Sequence, residues 1–119
     1  MLLRHATPRR NLPGIKRRGL LCSKSMGQRL VVWLHAPSKS AWAVLHTVKR
    51  HSGRVEDVVI LEVEVPRRLL RRNRRRLWYS TADVAPCRIR RTISFAQIAG
   101  PGADVGPQGT ASPLALVAC

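Results

Sequence analysis

The alternation of apolar and polar residues predicts three strands between the N-terminus and residue 66. Residues 2–5 form a short first strand that ends at His5, and residues 30–35, LVVWLH, are apolar and β-branched and predict the second. Residues 55–66 predict the longest strand, because an apolar run gives way to strict alternation in which Glu62 and Glu64 share one face. We interpret these two glutamates as a solvated face or as partners of arginine, and not as catalytic acids.

Two helices are predicted between these strands. Thr7 followed by Pro8 is typical of a helix start, with threonine as the cap and proline in the first helical position, and Gly19 is expected to end this helix. Residues 38–51 predict the clearest helix. Its apolar residues keep helical spacing and are expected to face the core. This stripe consists of Ala41, Leu45 and Val48, widened by Trp42 and Val44, with Trp42 expected to be buried.

The chain beyond residue 66 starts with RRLLRRNRRR, which predicts a short helical turn with its two leucines packed inward. Residues 77–95 add one or two strands around a turn at Pro86. Residues 96–119 are rich in glycine and proline and lack basic residues, so we expect a disordered tail. The order of elements predicts one small α/β (α+β) domain over residues 1–95.

Positive charge dominates the composition. The 119 residues include 22 Lys and Arg against 6 Asp and Glu, a net charge of +16, and every basic residue lies between Arg4 and Arg91. Most are arginines, whose planar guanidinium binds phosphate through paired hydrogen bonds. Such a field attracts polyanions, so nucleic acid is the expected partner. The arginines of residues 67–76 exceed what solubility needs and predict a phosphate-contacting surface, although a nuclear-localisation segment has the same composition.

The cysteines, the histidines and the hydropathy argue against a disulfide-rich, a metal-binding or a membrane-spanning protein. Cys22, Cys87 and Cys119 are isolated and odd in number, which argues against a disulfide framework or a zinc site and fits a reducing compartment. His46 and His51 are five residues apart rather than four, so no metal site is expected. No apolar run approaches the roughly 20 residues that span a bilayer. We therefore expect a soluble, cytoplasmic protein that makes no membrane contact.

The aromatic pair Trp78-Tyr79 adjoins the arginine-rich segment. One interpretation is that these rings stack on bases while nearby arginines hold phosphates, as in proteins that bind single strands. The other is ordinary packing at the start of a strand. The candidate nucleic-acid-binding residues are Arg71, Arg72, Arg74, Arg75, Arg76, Arg90 and Arg91.

Four segments occur in the order and spacing of a known family. Residues 4–7, RHAT, close the first strand, residues 18–20, RGL, close the first helix, residues 31–35 read VVWLH, and residues 84–89 read VAPCRI. In this order the chain resembles the NAD-binding lobe of the RNA 2′-phosphotransferases, which belongs to the ADP-ribosyltransferase-like group. The resemblance covers roughly residues 2–95.

The resemblance implies a split, strongly bent β-sheet with NAD between its halves. It places His5 and Thr7 against the ribose and nicotinamide, with Trp33 and His35 along the same cleft and the two histidines as candidate catalytic residues. The chain departs from the family at Arg4, where a tyrosine is typical. It also has no glutamate after the third strand, whereas many ADP-ribosyltransferases use one to stabilise the transition state.

The sequence leaves three functions open. The first is an NAD-dependent transferase that moves ADP-ribose or an RNA 2′-phosphate and acts on nucleic acid. The second is a basic, non-catalytic module of the same fold that binds nucleic acid, RNA in preference to DNA. The third is a protein-interaction domain whose arginines bind an acidic protein partner.

Overall fold

Two antiparallel three-stranded sheets form the framework of the protein. The computed structural model describes residues 1–25, 29–51 and 53–99. The first sheet has the strand order β1-β3-β6 and the second the order β2-β5-β4. The first contains β1 (Leu2–Pro8), β3 (Val58–Glu64) and β6 (Ile89–Ser94), and the second contains β2 (Val32–Leu34), β4 (Leu70–Arg72) and β5 (Trp78–Ser80).

An isolated antiparallel bridge joins the two sheets. The backbone N–H of Arg4 donates to the carbonyl oxygen of His35 at 2.9 Å, and the N–H of His35 donates back to Arg4 at 2.8 Å. The combined strand order is therefore β6-β3-β1-β2-β5-β4. The small α+β domain and the split sheet predicted from the sequence are confirmed in this arrangement.

The inner faces of both sheets enclose the main hydrophobic core. Its buried residues come from both sides of the bridge, which is why the two sheets pack as one unit. Each aliphatic side chain buried there contributes about 1.5–3 kcal/mol relative to its exposed state. These residues include Leu3, Leu61 and Val63 of the first sheet and Val32, Leu34 and Leu70 of the second.

The first helix starts later than the sequence predicts. β1 continues through Thr7 and ends at Pro8, and a 3₁₀ turn separates it from α1 (Leu12–Arg18). The cap predicted at Thr7 is wrong because that residue keeps pairing with β3, while Pro13 occupies the first helical turn, where proline is tolerated. The predicted end at Gly19 is confirmed, with a φ of 82° that favours glycine.

The long helix α2 (Ser40–His51) buries a face that overlaps the predicted stripe only in part, since Val44 is fully buried and Val48 packs beside it. Trp42 and Leu45 are 48% and 58% exposed, although the apolar stripe placed them in the core. The buried side chains are small, which lets the helix lie close to the outer face of the first sheet, and Thr47 satisfies its hydroxyl by donating to the Ala43 carbonyl at 2.8 Å. The buried residues of α2 are Ser40, Ala43, Val44 and Thr47.

The arginine-rich segment combines a turn with a strand. The predicted helical turn is present as a 3₁₀ turn over Arg67–Leu69, with Leu70 buried, and β4 follows it, a strand that the sequence pattern does not predict. One or two strands were expected around Pro86, and two are present, β5 before it and β6 after it. A short α3 (Phe95–Ala99) includes the first residues assigned to the tail, and residues 100–119 lie outside the described residues.

The third strand has the predicted alternation. Leu61, Val63 and Val65 are buried, whereas Glu62 and Glu64 are only partly so, and the two sets lie on opposite faces. Within the described ranges, no helix is long and apolar enough to cross a bilayer.

We expect Gly19→Ala to destabilise the fold by about 2 kcal/mol or more, because the added Cβ would strain a positive φ and collide with the Val84 carbonyl oxygen. That carbonyl accepts the Leu20 N–H at 2.9 Å, so the collision breaks the bridge that anchors α1. Gly14→Ala in the same helix is the matched control. Its Cβ meets nothing within 4 Å, so stability should rise by about 1 kcal/mol. Denaturant unfolding measures both, and equal effects would contradict this account.

Candidate functional site

His5 is half-buried at the junction of the two sheets. Its Nδ1 lies 2.7 Å from the carbonyl oxygen of Trp33. Because a carbonyl only accepts hydrogen bonds, Nδ1 carries the proton and Nε2 presents a lone pair. Burial lowers the pKa of His5, and this contact opposes that shift only in part. The imidazole is therefore neutral near pH 7 and fastens β1 to β2.

His35 is only 4% exposed and lies on the far side of the same junction. Its Nε2 is 3.4 Å from the Ser40 hydroxyl oxygen. Burial lowers its pKa to about 4, reinforced by repulsion from His5 once that ring is protonated in acid and from the Arg4 guanidinium. Ser40 is equally buried, so this serine–histidine pair is part of the packing between α2 and the sheet.

A row of charged residues crosses the first sheet under the start of α2. Arg4, Glu62 and Arg91 are cross-strand partners, and each arginine Nε lies 3.3 Å from a carboxylate oxygen of Glu62. Arg4 also donates from Nη1 to Ser40 at 3.1 Å. The interpretation of the two glutamates as partners of arginine is confirmed, because Arg90 pairs with Glu64 at 3.3 Å in the same way. The two candidate nucleic-acid contacts on β6 are thus engaged within the fold.

The four residues expected to hold NAD are brought only partly together. His5, Trp33 and His35 surround the bridge between the sheets, whereas Thr7 is buried further along β1 and accepts a hydrogen bond from Asn11 at 3.2 Å. Two surface clefts, one beside the end of α2 and one beside the start of α3, are lined by other residues. Over the described ranges, no group of three or more metal-ligating side chains occurs.

The outer face of the second sheet carries an aromatic row. Val32 and Leu34 are buried in the core, so alternation along β2 directs Trp33 to the opposite face. Trp33, Tyr79 and Arg71 are cross-strand partners in β2, β5 and β4. The two rings are half-buried and tilted by 59°, with centroids 5.4 Å apart. This row presents aromatic surface on the side of the sheet that faces away from the core.

Two further arginines contact aromatic rings of this sheet. Arg29 lies 5.7 Å from the ring centroid of Tyr79 and donates to its hydroxyl at 3.2 Å. Arg72 lies 4.7 Å from the ring centroid of Trp78, which packs in part against the core. Trp78 therefore contributes to packing, which was one interpretation of the aromatic pair. Tyr79 faces outward, as the interpretation of base stacking requires.

The turn between β4 and β5 displays three exposed arginines. The Asn73 side chain accepts hydrogen bonds from the backbone N–H groups of Arg75 and Leu77, both at 2.9 Å, which fixes the turn. Arg76 has a φ of 61°, a left-handed conformation that costs an ordinary side chain about 1 kcal/mol. The exposed arginines of this turn are Arg74, Arg75 and Arg76.

The outward aromatic row and the exposed arginines around it form what we call the stacking surface, which comprises Arg29, Trp33, Arg71, Tyr79 and Arg74–Arg76. Its strands and turn contain no acidic residue, since residues 29–35 and 65–82 lack both aspartate and glutamate. Sequence reasoning missed Arg29 and the pairing of Trp33 with Tyr79. Strict alternation applied to β2 would have turned Trp33 outward, but no local signal indicates Arg29.

Comparison with known proteins finds no match to this chain, either among protein-family models or among curated proteins. The resemblance to the ADP-ribosyltransferase-like group therefore remains a prediction from the sequence.

The buried His35 predicts a loss of stability in acid. Its pKa is lowered from 6.5 to about 4 in the folded protein, so the unfolded state takes up the proton first. The stabilisation is complete above pH 6.5 and is lost as the pH falls towards 4, by on the order of 3 kcal/mol. Chemical unfolding across this range should show a flatter profile for His35→Gln than for the parent. His46→Gln, at an exposed position, is the control, and a flattening of the same size there would refute the assignment.

Arg76→Gly should raise the free energy of unfolding by about 1 kcal/mol, because glycine adopts the left-handed conformation without steric cost. Arg75→Gly removes the same charge at the neighbouring position, where φ is negative, and should be neutral or slightly destabilising. Urea denaturation compares the two variants. Equal changes would mean that charge relief, and not backbone conformation, determines stability at this turn.

Proposed function

We propose that the protein binds single-stranded nucleic acid, RNA in preference to DNA, through the stacking surface. The observation that carries this proposal is the outward row of Trp33 and Tyr79 beside arginines that form no ion pair with an acidic side chain in the part of the chain that the structure describes. Single strands are the natural ligand, because their unpaired bases are free to stack on aromatic side chains.

The aromatic row supplies the base contact. Stacking on an aromatic side chain contributes about 1–3 kcal/mol per base and tolerates any base, since each has a π face. Trp33 and Tyr79 offer two rings on adjacent strands of a rigid sheet, and Arg29 fixes the second ring by its hydrogen bond and its position over the ring. This geometry supports binding with little sequence preference.

The arginines supply the phosphate contact. Arg74, Arg75 and Arg76 project from a turn that Asn73 holds in shape, so these guanidinium groups stay close to the end of the sheet. A guanidinium binds phosphate through paired hydrogen bonds and releases the counterions of the nucleic acid. Arg76 retains an unfavourable backbone conformation at this turn, as is common where function outweighs local stability.

The transferase hypothesis has less support in the geometry. His5 and His35 make contacts inside the fold, and His35 and Thr7 are buried. NAD binding thus rests on the sequence resemblance alone. An acidic protein partner would use the same arginines but would have no need of the aromatic row.

Replacement of the three turn arginines should weaken RNA binding and reduce its dependence on salt. Each phosphate contact to a single strand contributes about 0.7 to the slope of log K against log salt, so Arg74→Ala, Arg75→Ala and Arg76→Gly together should lower this slope by up to about 2. The matched control is Lys16→Ala, Arg17→Ala and Arg18→Ala on α1, which removes the same charge from another exposed site. Fluorescence anisotropy with an unstructured oligonucleotide measures both.

The aromatic contribution is tested in the same assay. Tyr79→Leu should weaken binding about 5- to 100-fold, whereas Tyr79→Phe keeps the ring and should lose much less. Equal losses for the two charge variants, with no effect of Tyr79→Leu, would leave only unspecific attraction and overturn the proposal. Binding of an acidic protein that is unchanged at high salt would support the protein-interaction function instead. A thermal shift with NAD but none with RNA would support the transferase.

A further inference from the structure

A cleft of about 440 Å³ opens where β1 ends and α2 finishes. Pro8 and Val58, the last partners of the β1–β3 ladder, form its floor together with Thr47 and Val48 of the helix. A volume of this size suits a small ligand, since such sites measure about 300–1,000 Å³. The cleft lies on the α2 side of the first sheet, whereas Thr7 faces the other side, so it is separate from the residues expected to hold NAD.

The wall of this cleft carries more positive than negative charge. Arg9, Arg10 and His51 line it, with Asp57 as the acidic residue among the lining side chains. The Asp57 carboxylate accepts a hydrogen bond from the Arg54 backbone N–H at 3.2 Å and is thereby held at the start of β3. None of the ion pairs among the described residues involves either arginine of the cleft.

The two arginines are positioned by contacts that leave most of their N–H groups available. Arg9 donates from Nη2 to the Glu56 carbonyl at 3.4 Å, and Arg10 Nη2 lies 3.5 Å from Nδ1 of His51. With a guanidinium as its neighbour, Nδ1 acts as the acceptor, so the proton of the neutral ring is on Nε2. Burial, then the charges of Arg10 and Arg50, lower the pKa of His51. Three groups that repel one another when charged thus share one concave surface.

We propose that this cleft binds a phosphate monoester, with Arg9 and Arg10 as the principal contacts and His51 as a third donor. A dianion between these groups would neutralise the guanidinium groups and accept hydrogen bonds from both. The apolar floor would take the organic part of the ligand. Two sources share this chemistry: a free nucleoside monophosphate and the phosphorylated end of a nucleic-acid strand. The site is independent of the stacking surface and does not rest on the function proposed above.

The proposal has a direct spectroscopic signature. An anion beside an imidazole favours the protonated ring, so the midpoint of the His51 titration should move to higher pH when the ligand binds. Proton NMR of the full chain, at constant ionic strength, follows this midpoint with inorganic phosphate, adenosine monophosphate or adenosine. The two phosphate compounds should raise it saturably, and adenosine should not.

Matched variants locate the effect. Arg10→Gln should weaken phosphate binding, read from the shift of the His51 titration midpoint, tenfold or more. Lys49→Gln removes one charge from the exposed face of α2 and should leave phosphate binding unchanged. Oligonucleotides with and without a 5′-phosphate separate the two sources, because a response to the phosphorylated strand alone identifies its end as the ligand. No saturable change with any phosphate compound, or the same change in Arg10→Gln, would overturn the proposal. The variant lacking the turn arginines should keep the response, which distinguishes this site from the stacking surface.

Discussion

Arg4 is the residue on which the arrangement of both sheets depends. Its backbone pairs with β3 on one side and with His35 on the other, so the bridge between the sheets passes through it. Its guanidinium pairs with Glu62 and donates to Ser40, which adds the start of α2 to the same cluster. Arg4 and Glu62 are each only 15% exposed, and removal of Glu62 would leave the Arg4 guanidinium without its carboxylate partner, whereas Glu62 would keep Arg91 if Arg4 were removed.

The distribution of acidic residues divides the molecule into two electrostatic regions. In the first sheet, Glu62 and Glu64 compensate arginines on β1 and β6, and those arginines serve the fold. The second sheet and its turn have no acidic residue, so no carboxylate of these segments compensates the positive charge of their arginines. This difference separates the ion-paired arginines of the first sheet from those of the second sheet more sharply than their density along the sequence does. Arg90 and Arg91, which look like the other candidates in the sequence, differ from them in that they pair with Glu64 and Glu62.

Sequence reasoning succeeded where the signal is local and periodic. The alternation in β3, the stop at Gly19 and the small α+β class follow from spacing and from backbone chemistry, whereas the split of the sheet was implied only by the family resemblance. It failed in part at α2, because Trp42 and Leu45 of the predicted stripe are exposed while Val44 is buried. Ser40 and Thr47 could not be recognised as core residues without their partners, which are Arg4, His35 and a carbonyl one turn away. From the sequence alone, a polar side chain is expected at the surface, and its burial becomes predictable only when its hydrogen-bond partners are known.

The stacking surface shows the same limit for function. Trp78 and Tyr79 are neighbours in sequence with the same arginine-rich context, yet one packs against the core and the other turns outward. Their alternation was predictable, but which ring faces the core depends on the register of β5 with its neighbours, and of these β2 is distant in sequence. A shift by one residue would exchange the two rings and separate Tyr79 from Trp33. The candidate site is therefore a property of strand pairing, and the bridge at Arg4, which positions β2, is as necessary to it as the aromatic residues themselves.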